Sequence, residues 1–445
     1  MSTRRKIMNM VKKVQGVCNS ITVTIIIAAT IVAGLSVGYG TIPACAQEPV
    51  TLEFWCDKVG YITMYEDIFE DFTDETGIKI VATGFYDIEG YIGTIKTLIG
   101  KPEAPDVFTW WTGKTMEELA NTGGLMDLSF AFDANPGAEA VKDVMTVEGV
   151  VVAVPQQVSI WAVTYNKSVF KEVGIEPPET WDEFLELCRK IKEAGITPFG
   201  GGWDSWQGFI WPGELVPRID PDYYELLNAG KASYTDPQMK QAAQIIIEMA
   251  ENGYFGDPNY VLTLASPTEV PTSIRILASG EAAMIYYGDW ISGFLTKEGF
   301  TDWGMFCLPN VNPALEKQSV ISEPAPFLAN KATKHPEEVR KFFEWWMSPE
   351  TIMKWCRIMN WTPWNVNCSK EFLPPEILNF HKSVEERNPR YLLRYWEAAP
   401  TKEFDVRGML ISAAQEILVH PEKLDTLLAG VQESNKSYWE KYGFK

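Results

Sequence analysis

The chain has 445 residues, enough for two or three cores rather than one, and its 46% hydrophobic and 22% charged residues are an ordinary globular balance. It carries 39 Lys and Arg against 59 Asp and Glu, a net charge of −20. That field argues against nucleic acid, anionic lipid surfaces and highly anionic ligands as partners. Three His speak against a His-rich metal centre, whereas 17 Trp point to a large core or to a surface that stacks flat ligands.

The first 46 residues read as an export signal. Arg4, Arg5, Lys6, Lys12 and Lys13 form a basic start, Ile21 to Val37 is an uncharged apolar run, and Ala44-Cys45-Ala46 fits small-x-small cleavage before Gln47. An uncleaved anchor is the structural alternative. Ile42-Pro43-Ala44-Cys45 also resembles a lipoprotein box, which would lipid-anchor the chain at Cys45, and Thr3-Arg4-Arg5 faintly resembles a twin-arginine signal. Losing five basic residues and no acid takes the net charge from −20 to −25. Cys56, Cys188, Cys307, Cys356 and Cys368 then remain, an odd number without C-x-x-C spacing. No bridge, metal or cofactor is assigned. Cys188 falls on an apolar helical face and reads as a small buried hydrophobe.

Short apolar strands alternate with amphipathic helices. Val50 to Trp55 reads as a strand, followed by a helix with Tyr65, Ile68, Phe69 and Phe72 on one face and a stop at Gly77. Ile78 to Ala82, a helix marked by Ile92, Ile95, Leu98 and Ile99, and a strand over Asp106 to Trp110 complete a βαβαβ series, which argues for a mostly parallel sheet. Val151 to Val154 and Ala162 to Tyr165 read as two further strands. Thr180 and Glu183 form a capping box for a helix whose Trp181, Phe184, Leu185, Cys188 and Ile191 share a face. Helices open at Pro237, capped by Asp236, and at Pro336 and Ser348-Pro349. The last hundred residues look mainly helical. Two α/β units plus a helical tail place a cleft between lobes.

Several segments carry a resemblance: TLEFW at 51–55, FTDETGIKIV at 72–81, PDVFTWW at 105–111, VPQQVSIWAVTYNK at 154–167, PPETWDEF at 177–184, AGITP at 194–198, SGEAAMIYYGDW at 279–290 and HPEEVRKFFEWW at 335–346. In this order, over nearly all of the mature chain, they resemble the extracellular solute-binding proteins of the maltose-binding protein type. The resemblance implies an α/β fold, a two-lobed periplasmic-binding-protein type II clamp with discontinuous lobes joined by a hinge. It implies an N-terminal lobe of residues 47–158 plus 310–358 and a C-terminal lobe of 160–307 plus 362–445. Crossings would lie near 158–160, 308–309 and 358–361. It further implies a monomeric, non-catalytic component of an ABC importer, exported to the periplasm or another extracytoplasmic space. This component would deliver a carbohydrate, an oligosaccharide by preference, to permease subunits in the membrane.

A sugar needs flat platforms for its C–H faces and charged or amide groups for its hydroxyls. By resemblance, Asp57 and Lys58 match an acidic-basic pair directed at the sugar, and Trp110 a cleft tryptophan. Trp111 is its neighbour, and only one of the two should face the cleft because strand residues alternate; position favours Trp110, with Trp111 as the alternative. Lys114 falls on a hydroxyl-binding arginine. Gly113 and Ser159 stand where the family has acids, departures that point away from maltose. Trp161 lies beside the crossing. Gly200 to Trp206 would bring Trp203, Asp204 and Trp206 from the second lobe. Asp289-Trp290 carries a recurrent stacking tryptophan. Trp361 and Trp364 flank Pro363, and Arg407 lies where relatives add a contact. Trp55, Trp181, Trp345 and Trp346 read as core. The rival readings are a glycoside hydrolase, which needs two flanking carboxylates; the same clamp holding a glycerophosphodiester or polyol; and a clamp serving a sensor kinase or surface adhesion.

Overall fold

A computed structural model describes residues 49–203, 205–263, 269–401 and 404–443. The leader and Asp204 lie outside the described residues. The strands, in chain order, are β1 (Thr51–Cys56), β2 (Lys79–Gly84), β3 (Val107–Thr109), β4 (Thr146–Val147), β5 (Val150–Val151), β6 (Ala153–Asn166), β7 (Thr197–Phe199), β8 (Ala282–Gly288), β9 (Trp303–Phe306), β10 (Gln318–Ala329) and β11 (Pro389–Leu393). All but the β4–β5 hairpin share one sheet, ordered β2-β1-β3-β10-β6-β8-β7, with β11 on β10 and β9 on β6.

Alternation in β1 buries Leu52, Phe54 and Cys56. They meet the helix Ile62–Thr76, whose Tyr65, Ile68, Phe69 and Phe72 are buried and which ends at Gly77 with φ 73°. The Thr180–Glu183 capping box forms as read, opening the helix Trp181–Glu193. Trp346 and Trp355 are fully buried in the same aromatic core, and Trp181 is buried as well, whereas Trp55 and Trp345 pack against the core half-buried.

Three expectations are corrected. The sheet is mixed: β1 pairs in parallel with β2 and β3, but β10 runs antiparallel to both β3 and β6. Val151 to Val154 and Ala162 to Tyr165 are not two strands, since β6 runs unbroken from 153 to 166 through the polar stretch Gln156–Gln157 and Ser159, all buried. Asp236 holds the N-cap position without a side-chain cap bond, because its carboxylate accepts the Ser233 amide at 2.9 Å instead.

The two long strands make this a two-lobed α/β clamp. The first half of β6 pairs with β10, and from Trp161 onward it pairs with β8 and β9. β10 in turn pairs with β11 through Gln318–Ser322, with β6 through Ser322–Leu328 and with β3 at its end. A register shift falls at Ala325/Pro326, in a stretch where Pro324 faces Val158 and Pro326 faces Pro155. The three prolines have no backbone N–H to give to the sheet. The carbonyls there are still used, Pro326 accepting from the Trp110 amide at 3.1 Å and Pro324 from Thr112 Oγ1 at 3.1 Å.

Candidate ligand-binding cleft

A cleft of about 450 Å³ opens beside β6 and β10, within the range of small-molecule sites. Its walls come from the loops after β1 and β2, the end of β3, and residues after β7, β8 and β11. Eight aromatic side chains line it: Tyr61, Phe85, Tyr86, Trp111, Trp206, Trp290, Phe294 and Trp396. Asp57, Lys58, Gln157, Glu323 and Arg394 supply the charged and amide groups.

At the end of β1, Lys58 Nζ lies 2.9 Å from Asp57 Oδ1 and 5.5 Å from the Trp111 ring centroid. Thr109 fixes Asp57 from β3, donating its hydroxyl at 2.5 Å and accepting the Asp57 amide at 3.1 Å. The pair is thus held by two neighbouring strands.

The strongest electrostatic feature is one the sequence reading missed. Glu323, in β10, accepts the indole N–H of Trp290 at 3.0 Å and of Trp161 at 3.1 Å on the same oxygen. Its other oxygen meets Arg394 Nη1 at 3.0 Å. Arg394 is shared with Glu397, donating from Nε at 2.8 Å, and its guanidinium lies 5.6 Å from the Trp161 ring and 5.5 Å from the Phe209 ring. Burial pushes the Glu323 carboxyl up to about 7, against the pull of Arg394. A buried arginine between two buried carboxylates leaves no surplus cation here.

Of the expected site residues, Asp57, Lys58, Trp111, Trp206 and Trp290 line the cleft. Five others sit behind it. Trp161 is fully buried and holds Glu323. Ser159 accepts from Gln157 Nε2 at 3.0 Å. Trp361 donates to the Trp290 carbonyl at 3.1 Å. Asp289 accepts the Ile160 amide at 3.3 Å and faces His381 Nε2 at 2.7 Å, tying β6 to the segment after β8. Arg407 stacks 3.7 Å from the Trp396 centroid and donates to the Trp396 carbonyl at 3.2 Å, so it props a cleft ring and does not reach the cleft.

Four expectations fail on placement. Trp110, the favoured partner of the tryptophan pair, is fully buried; its indole donates to the Thr115 carbonyl at 3.3 Å, and Trp111 is the one that faces the cleft. Lys114 turns away, pairing with Glu117 and lying 5.1 Å from the Trp439 ring, on a helix, Lys114–Ala120, whose Glu118 accepts from Thr401 Oγ1 and Tyr438 Oη in the C-terminal segments. Trp203 is buried against Phe255 at 5.0 Å: the Gly-rich loop folds down, with Gly200 so close to Ala282 and Ile276 that a Cβ would lie 2.8 Å from each. Trp364 is buried outside the cleft lining.

Residues 61–353 match the bacterial extracellular solute-binding protein family, and the chain belongs to that family. An ABC transporter extracellular-binding protein of Pyrococcus horikoshii is 27% identical over 52% of this chain and 53% of its own length. A multiple sugar-binding protein of Streptococcus mutans is 29% identical over 36% of this chain and 38% of its own. An sn-glycerol-3-phosphate-binding periplasmic protein of Brucella abortus is 36% identical over 36% and 37%. The chain therefore spans about half or less of the length of these relatives. Among solved structures, the bacterial solute receptor AcbH superposes with a TM-score of 0.76 at 18% identity, covering 87% of this chain and 99% of that one. A chitin oligosaccharide binding protein gives 0.74 at 20% identity, covering 88% and 99%. These two show the fold. No helix among the described residues is long and apolar enough to cross a membrane.

Proposed function

We propose that this chain is the extracytoplasmic substrate-binding component of an ABC importer, and that it reversibly captures a carbohydrate, an oligosaccharide of uncharged rings, without catalysis. The observation that supports this most is the pairing of eight aromatic rings with mutually neutralised charges around one cavity. Rings match the C–H faces of pyranoses, and carboxylate, ammonium and guanidinium groups already held in place match hydroxyls. Trp111, Trp206, Trp290 and Trp396 are the proposed platforms, and Asp57, Lys58, Gln157, Glu323 and Arg394 the proposed hydroxyl partners. The S. mutans relative carries a sugar in its name, as does the chitin oligosaccharide binder in its own, which supports the substrate class.

In this reading the lobes follow the proposed division of 47–158 plus 310–358 and 160–307 plus 362–445, except that residues 310 to about 321 pass to the second lobe. We place the second crossing within β10, where its partner changes at Ser322. Closure about β6 and β10 buries the ligand, and the closed form, as a monomer, meets the permease. Export follows cleavage before Gln47, with a lipid on Cys45 as the alternative. A glycoside hydrolase would need two carboxylates free to flank a bond. Asp57 and Glu323 are each committed to a cation and to hydrogen-bond donors.

The B. abortus relative favours a second reading, a glycerol phosphate. Against it, Lys58 and Arg394 are both already paired with carboxylates, and a phosphate wants unpaired cationic donors. A thermal-shift screen of residues 47–445 against mono- and oligosaccharides, with glycerol 3-phosphate and glycerophosphodiesters alongside, separates the two, because a ligand that binds only the folded form raises Tm. A saccharide shift without hydrolysis supports the proposal. A shift with the phosphorylated solutes alone overturns the carbohydrate assignment and keeps the clamp.

A further inference from the structure

We infer that Tyr86 is the platform of an outer subsite, so that the cleft takes a ligand of at least two rings with the distal ring stacked on this tyrosine. The inference rests on the carbohydrate reading and goes beyond it, because it fixes a minimum ligand length and names the residue that reads it. Tyr86 lines the cleft beside Phe85 and Ile88, yet it is 73% exposed, the most exposed aromatic side chain among the described residues.

Its surroundings separate a presented ring from a merely loose one. Just before it, the Phe85 amide donates to the Cys56 carbonyl at 2.9 Å. The Phe85 ring packs 5.0 Å from Trp55 and 5.2 Å from Tyr91. Just after it, Asp87 caps the helix Ile88–Leu98, its Oδ1 accepting the Gly90 amide at 3.0 Å. The backbone of Tyr86 is therefore clamped on both sides, and only the side chain is free.

The other cleft rings are all engaged with neighbours: Tyr61 with Phe294 at 5.7 Å, Trp111 with Trp396 at 6.1 Å, Trp206 with Tyr287 at 6.0 Å and Trp290 with Phe294 at 6.2 Å. Tyr86 alone has neither ring neighbour nor hydrogen bond, so both its faces remain open. A tyrosine held on a fixed backbone at the rim of an aromatic cleft offers a flat apolar face plus a hydroxyl, the two things a second pyranose needs. A monosaccharide in the inner cleft, between Trp111, Trp290 and Trp396, would leave it unused.

The test is isothermal titration of the mature chain and of Tyr86→Ala and Tyr86→Trp with three length series: glucose, cellobiose and cellotriose; xylose, xylobiose and xylotriose; N-acetylglucosamine, chitobiose and chitotriose. Because the side chain is exposed, the variants keep the fold, which an unchanged Tm checks. In the series that binds, Tyr86→Ala should weaken the two- and three-ring members roughly five- to tenfold and the one-ring member less than about twofold, with Tyr86→Trp restoring the loss. An equal effect at every length, no effect at any length, or a wild-type chain that binds one ring as tightly as three overturns the outer subsite while the carbohydrate reading survives. A wild-type chain that binds no saccharide overturns both.

Discussion

Trp290 donates its indole N–H to Glu323 Oε2 at 3.0 Å, so a ring that walls the cleft is oriented by a carboxylate that also lines it. Replacing Trp290 by Ala removes both the platform and one of the donors on Glu323. The expected result is a loss of ligand affinity greater than about 1 kcal/mol. Trp290→Phe, which keeps a ring and loses the donor, should fall between. Titration calorimetry with the saccharide found by thermal shift reads both. An unchanged Kd for the alanine variant would remove Trp290 from the site.

Glu323 should give the folded chain a recognisable pH dependence. Its carboxyl, ordinarily near 4.5, is pushed up to about 7 by burial. Between those values the folded chain keeps a proton that the unfolded chain has lost, so this group's contribution to stability falls as pH rises from about 4.5 to about 7 and is flat above. Glu323→Gln still accepts from an indole but cannot titrate. Urea midpoints of both proteins across this window should show the variant gaining on the wild type as pH rises. Parallel curves would mean that Glu323 is ionised throughout.

Gly113 precedes the helix Lys114–Ala120 with φ 66°, and a Cβ there would lie 2.5 Å from the carbonyl of Glu397, the residue that shares Arg394. Gly113→Ala meets both a left-handed backbone and a clash with main chain. A stability loss on the order of 1–3 kcal/mol is expected, read from the urea midpoint. Since the clash pushes on the support of Arg394, ligand affinity should weaken as well.

Five cysteines remain after residue 47, and all are free and buried. Burial pushes the Cys56 thiol up to about 12, and a thiol rather than a thiolate is a poor nucleophile. The native mature chain should therefore react negligibly with a thiol reagent and yield five equivalents in guanidinium chloride. A fast native equivalent would identify a segment that opens.

The fold was largely readable because periodicity and caps are local signals. The buried faces of Ile62–Thr76 and the Thr180–Glu183 capping box need only neighbours in sequence. The mixed sheet was not, since a long antiparallel strand such as β10 returns from far along the chain. The cleft divides in the same way. Asp57 and Lys58 lie on the turn after β1, where family order places them. Trp110 and Trp111 follow a strand that ends at Thr109, so the last turn of the backbone decides which ring enters, and alternation alone cannot. Lys114 and Arg407 were misread because a cation near a cleft can find an aromatic face instead, Trp439 for one and Trp396 for the other. Glu323 left one unused clue: it is the lone charge in the otherwise uncharged run from Gln318 to Ala329.

The prolines of the β6–β10 ribbon bear on mechanics. Pro155, Pro324 and Pro326 fall where the two strands face one another, next to the register shift, and none of the three has a backbone N–H to give to the sheet. A strand with fewer backbone bonds to its neighbours is easier to bend at that point. In the proposed closure, flexure at this stretch would fall within a few residues of Glu323, so the proposed ligand groups there would sweep the shortest arc. The walls further out, with Tyr86 at the rim, would travel furthest.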